Sequence, residues 1–73
     1  MASHKVVSEV AGKVWKIEIE VGAVVPAEEP ILIVESMKME IPVQSEKGGT
    51  LAELLVAEGD AVAEGQVVAI VEL

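Results

Sequence analysis

Residues 15–21 alternate strictly: Trp15, Ile17, Ile19 and Val21 are apolar, and Lys16, Glu18 and Glu20 are charged. A period of two marks a β-strand with one face in the core and the other in water. The pattern therefore predicts a strand over this segment, with Trp15 in the core beside Ile17 and Ile19. Gly22 and the stretch from Pro26 to Pro30 interrupt it, and proline excludes a helix there. The run Ile31-Leu32-Ile33-Val34 then resumes with β-branched residues at strand length, and Ile41-Pro42-Val43 follows as a further strand-like piece. Between Thr50 and Glu58 the pattern is ambiguous, because Leu51, Leu54 and Leu55 stand at helical spacing among good helix formers.

An internal repeat decides that segment. A shift of 37 residues lays Gly12 on Gly49, Gly22 on Gly59, Val25 on Val62, and Ile33-Val34-Glu35 on Ile70-Val71-Glu72. Apolar rows follow the same shift, with Val14 over Leu51, Ile17 over Leu54, Ile19 over Val56 and Ile31 over Val68. This is the signature of a duplication. It places residues 51–58 over the first alternating segment, so they are read as strand against their local preference, which tertiary pairing commonly overrides. Each copy then supplies about four short strands without a helix long enough for a crossover. The expected fold is all-β: a flattened barrel or sandwich of two four-stranded antiparallel sheets with internal pseudo-two-fold symmetry. Gly22 and Gly59 are expected in equivalent turns, and Ala11-Gly12 and Gly48-Gly49 at the start of equivalent long strands.

Size and composition narrow the function. Seventy-three residues make one domain, 1–73, whose first four residues are expected to be disordered. The core stock is fourteen Val, six Ile and five Leu with one aromatic, Trp15, which again favours strands. The longest apolar runs, such as Val67 to Val71, fall far short of the roughly 18 residues of a membrane helix. The absence of cysteine removes disulfides and thiolate metal sites, and a single histidine, His4, argues against a metal or Ser-His-Asp site. Thirteen acidic residues against five lysines give a net charge of −8, which repels nucleic-acid phosphates and anionic lipid, so neither partner is expected. Residues 1–5 carry no apolar leader region, which points to the cytoplasm.

The candidate chemistry stands where the first copy hands over to the second, in Glu35-Ser36-Met37-Lys38-Met39-Glu40. Strand-like residues on both sides make it a hairpin with Lys38 at its tip. Tight two-residue turns favour Asn-Gly or Asp-Gly because both central residues take positive φ. Met37-Lys38 offers neither, and strain of this kind tends to occur where one side chain must be presented in one place. Two methionines beside the lysine either cover the end of the core or offer an adaptable surface to a partner.

These residues resemble the attachment motif of the biotinyl/lipoyl domain family, Glu-Ala/Ser-Met-Lys-Met. The resemblance extends over most of the chain through Gly12, Gly22, Gly59-Asp60, Gly65 and the closing Val-Ala-Ile-Val-Glu run. It is greatest to the stand-alone biotin/lipoyl attachment proteins of biotin carboxyl carrier type. It implies that Lys38 is joined by an amide to biotin, and that Glu35, Ser36, Met37, Met39 and Glu40 are read by a biotin protein ligase. The attached biotin would carry carboxylate between a biotin carboxylase and a carboxyltransferase, with the domain a non-catalytic carrier. Glu35 and Glu40 are expected to face each other across the hairpin, and the resemblance implies that the ligase supplies the activated acyl group. Ser36 stands where Ala is usual, Ala23 where the family often has Asp, and Glu28 where it often has Gly. Lipoate, alone or in addition to biotin, is the alternative cofactor, although lipoyl domains resemble Asp-Lys-Ala at the tip and Met37 and Met39 disfavour it. An unmodified interaction module is the remaining reading.

Overall fold

The computed structural model describes residues 2–73. Among them are eight strands and no helix: β1 (Ser3–Val7), β2 (Gly12–Ile17), β3 (Val24–Val25), β4 (Pro30–Ser36), β5 (Met39–Gln44), β6 (Gly49–Leu54), β7 (Ala61–Val62) and β8 (Val67–Glu72). Two four-stranded sheets result, ordered β1-β8-β6-β3 and β5-β4-β2-β7, with every pair antiparallel. Exchanging β1–β4 with β5–β8 turns one order into the other. The register obeys the same rule: Lys13 faces Glu35 and Val14 faces Val34 in one sheet, while Thr50 faces Glu72 and Leu51 faces Val71 in the other. The duplication read in the sequence is therefore the symmetry of the fold, and the segment with helix-like leucines is strand β6 as far as Leu54.

Apolar residues of both sheets meet in one core. Ile31, Leu32 and Val34 are completely shielded, and so are their counterparts Val68, Ala69 and Val71. Two buried hydroxyls close the corners after β1 and β5: Ser8 Oγ donates to the Val10 carbonyl and Ser45 Oγ to the Lys47 carbonyl, each at 2.6 Å. Each hydroxyl exchanges its water for an internal partner and adds no unsatisfied group. Pro42 lies in β5, an edge strand, where its missing N–H leaves no gap inside the sheet.

Three expectations need correction. The alternating run does not form a strand from 15 to 21, since β2 ends at Ile17, and its repeat does not run to 58, since β6 ends at Leu54. Within β2 the pairing moves directly from Val14 to Lys16, so Trp15 is the extra residue of a β-bulge. The bulge reverses the parity. Val14 points into the core, Ile17 and Ile19 pack against its margin, and Trp15 is left 49% exposed. The same bulge recurs at Ala52 in β6. The opening residues also differ from expectation, because Ser3 and His4 pair with Glu72 and Val71 as part of β1. Met1 lies outside the described residues. Leu73 N–H donates to the Ala2 carbonyl at 3.0 Å. The two-fold relation carries this pair onto Ser36 and Met39, so the chain ends hold in one sheet the place that the hairpin tip holds in the other.

One turn is left imperfect by the duplication. Gly65 in the second copy takes φ +83°, while its counterpart Glu28 takes φ 66° with a full side chain. A left-handed conformation costs a non-glycine residue about 1–2 kcal/mol. Glycine recovers part of this and loses some to greater freedom in the unfolded chain. Glu28→Gly is expected to raise the unfolding free energy by a few tenths to about 1 kcal/mol, as read by urea denaturation with an unchanged m-value.

Candidate functional site

The hairpin between β4 and β5 is paired to its end, Glu35 opposite Glu40 and Ser36 opposite Met39, which leaves Met37 and Lys38 as a two-residue loop. Met37 has φ 52° and Lys38 φ 65°. Two successive positive φ values give the mirror-image turn whose twist suits a right-twisted hairpin. Neither residue favours that conformation, at a cost of about 1–2 kcal/mol for each. The turn holds because pairing on both sides leaves the chain no alternative, and because Ser36 Oγ donates to the Ala11 carbonyl at 2.8 Å. That bond ties the base of the hairpin to the segment entering β2.

Lys38 projects into solvent, and its neighbours do the same, with Met37 92% and Met39 64% exposed. The methionines therefore do not cover the core; they form an apolar collar around an amine. The only ion pair among the described residues is Lys16 with Glu18, at 3.5 Å, so Lys38 is not engaged by a carboxylate. Glu35 and Glu40 are exposed and directly opposite one another, an acidic pair at the hairpin base. All six residues expected at the site thus lie together on one hairpin. An unburied primary amine without an ionic partner, on a rigid turn, fits a group joined to the protein through an amide.

The site has a neighbour that alternation along the chain concealed. Trp15, displaced outward by the bulge, lines an open depression of about 280 Å³ together with Lys13, Val14, Glu35 and Gly59. The wall is fixed by backbone bonds, Val14 N–H to the Asp60 carbonyl and Gly59 N–H to the Val14 carbonyl, both 2.8 Å. Glu58 Oε2 accepts from the Ile17 N–H at 3.0 Å, and Asp60 Oδ2 from the Ala57 N–H at 2.9 Å. The repeat itself held the signal for this feature, because a Trp aligned with Ala52 is not demanded by the fold.

A family model described as "Biotin-requiring enzyme" matches residues 2–71. The chain belongs to the biotin/lipoyl domain family. A biotin/lipoyl attachment protein of Bacillus subtilis is 39% identical over 59 residues, covering 81% of each chain. The urea amidolyase of Saccharomyces cerevisiae is 37% identical over 67 residues, which are 92% of this chain and 4% of that enzyme. Among solved structures, the urea carboxylase of Kluyveromyces lactis matches with a TM-score of 0.93 and 33% identity over 99% of this chain and 6% of that one. The lipoyl domain of the 2-oxoglutarate dehydrogenase complex of Azotobacter vinelandii matches with a TM-score of 0.72 and 28% identity, covering 88% and 81% of the two chains. This biotin/lipoyl domain therefore shares its two-sheet architecture with relatives of its own size and with small parts of much larger enzymes.

Proposed function

We propose that the domain is a biotin carboxyl carrier with Lys38 as the attachment residue. The observation that supports this most directly is the Lys38 amine, free in solvent on a two-residue turn between two exposed methionines. Biotin would supply a ureido ring able to carry a carboxylate, and the remaining work falls to the chain. Lys38 offers a primary amine on a four-carbon stem, from which a stable amide and a long mobile arm can be built. The turn fixes where the arm starts. Met37 and Met39 give a biotin protein ligase an apolar surface to grip, and Glu35 and Glu40 steer the hairpin toward basic partner surfaces. The domain performs no chemistry itself; it holds and delivers its group between a biotin carboxylase and a carboxyltransferase in the cytoplasm. Tethering keeps the group at an effective concentration on the order of millimolar for a short link, so weak contacts with each enzyme suffice.

A lipoyl carrier is the second reading, favoured by the structural match to a lipoyl domain and by the name of the Bacillus subtilis relative. Intact mass after incubation with ATP and either biotin with a biotin protein ligase, or lipoate with a lipoate ligase, separates them. A single biotinyl addition and no lipoyl addition is expected; lipoyl addition alone would reverse the assignment, addition of either group in its own reaction would make the domain a dual carrier, and neither addition would leave an unmodified module.

The turn offers a second test. Asn suits a positive φ better than Met, so Met37→Asn is expected to raise stability by about 0.5–1 kcal/mol. The same change removes half the apolar collar, and loss of one good contact is worth about tenfold in rate or affinity. Thermal melting and initial biotinylation rates on the same sample check the opposed effects.

A further inference from the structure

We propose that the depression beside the hairpin, formed by Trp15, Lys13, Glu35 and Gly59, is a resting site for the ring system of the cofactor attached at Lys38. This rests on the biotin reading above and adds to it a second place in the domain where the group is held. Three observations support it.

The first is the indole itself. Trp15 is the only aromatic residue in the chain, yet it stands 49% exposed on a bulge. The second copy makes the same bulge with Ala52, and there Thr50 replaces Lys13. The fold requires neither the indole nor the ammonium at these positions. Their presence on the hairpin side alone needs another reason, and a flat apolar face suits a fused two-ring group.

The second is polar complementarity. A ureido ring has one carbonyl acceptor and two N–H donors. Lys13 is a donor without acceptor capacity, and the Glu35 carboxylate an acceptor without donors. They face each other across β2 and β4, and neither is engaged in an ion pair among the described residues. Both are available to the same small group. The volume of about 280 Å³ falls just below the roughly 300–1,000 Å³ of pockets for drug-sized ligands, as fits a ring system rather than a whole substrate.

The third is reach. Glu35 lines the depression and precedes Lys38 by three residues, at most about 10 Å at the rise of a strand and less through the turn. The arm from the Lys38 Cα to a biotin ring has eleven bonds, roughly 14 Å when extended. The ring can therefore reach the Glu35 side of the depression without moving the backbone. At a tethered concentration on the order of millimolar, a site of only millimolar affinity is occupied about half the time. Such a site shields the ring between encounters and still releases it.

The single tryptophan provides a readout independent of carboxylase activity. The full chain is biotinylated with ligase, conversion is confirmed by intact mass, and acrylamide quenching of Trp15 emission is compared before and after. The quenching constant is expected to fall by roughly half, in line with a docked population of about half. Two controls make the effect local. Lys38→Arg carried through the same reaction should keep the unmodified value. The double variant Trp15→Ala with Ala52→Trp moves the indole to the equivalent bulge of the other sheet, and its quenching should not respond to biotinylation. A fully biotinylated wild-type chain with unchanged quenching would overturn the resting site and leave the carrier reading intact. An equal response in the double variant would overturn it as well. Failure of the mass to increase would instead remove the carrier reading, and the resting site with it.

Discussion

Lys38→Arg is expected to fold like the parent chain and to take up no biotin. The guanidinium keeps the charge and nearly the length of the ammonium, but it remains protonated and does not serve as the amine of an amide. Lys38 contributes its backbone to the turn and nothing to the core, so the change in stability should stay within about 0.5 kcal/mol, as for other surface substitutions. Labelling should fall to background in a streptavidin blot. Lys5, Lys13, Lys16 and Lys47 remain in this variant as internal controls. Persistent label on any of them would show that the hairpin geometry does not select the amine.

The largest structural effect is expected at Gly12. A Cβ built there would overlap the carbonyl oxygen of Glu35 and stand 2.8 Å from Val34 Cγ1, and the nearer obstacle is backbone. Gly49 meets Glu72 and Val71 at the same distances through the two-fold relation. Glycine in a strand often marks such a close backbone approach. Neither sheet can yield without shifting the strand opposite, so Gly12→Ala and Gly49→Ala should each cost about 1–3 kcal/mol. At roughly 4–8 °C per kcal/mol for a domain of this size, calorimetry should show a clear fall in Tm for both. Function should separate them. Gly12→Ala displaces β4 at the base of the hairpin and should slow biotinylation, whereas Gly49→Ala acts on the chain-end side and should leave the rate of the folded fraction unchanged. Equal slowing in both would mean that stability alone governs labelling.

The parts of the molecule legible in the sequence are those governed by repetition and by local turn chemistry. The 37-residue shift correctly read Thr50 to Leu54 as strand despite the helical spacing of Leu51, Leu54 and Leu55, because pairing with β8 outweighs it, while Leu55 to Glu58 lie beyond the end of β6. The Met37-Lys38 turn was legible because two-residue loops constrain φ, and both values are indeed positive. Trp15 was not legible from alternation. A bulge inserts one residue without a sequence mark of its own, and every parity argument drawn across it places side chains on the wrong face. Comparison with Ala52 carries that information, since a position that tolerates alanine in one copy has no need of an indole in the other. The opening strand was equally hidden: Ser3 and His4 have little strand propensity, and the edge of β8 orders them.

The central claim is that one exposed amine, held on a strained two-residue turn, is the point where a separate enzyme attaches the cofactor. It is tested most directly by incubating the wild-type chain with biotin, ATP and a biotin protein ligase, then digesting it and locating the label by tandem mass spectrometry. A single biotinyl group on Lys38, with the other four lysines unmodified, is the expected result. An unlabelled chain, or label distributed over Lys5, Lys13, Lys16 or Lys47, would contradict the account.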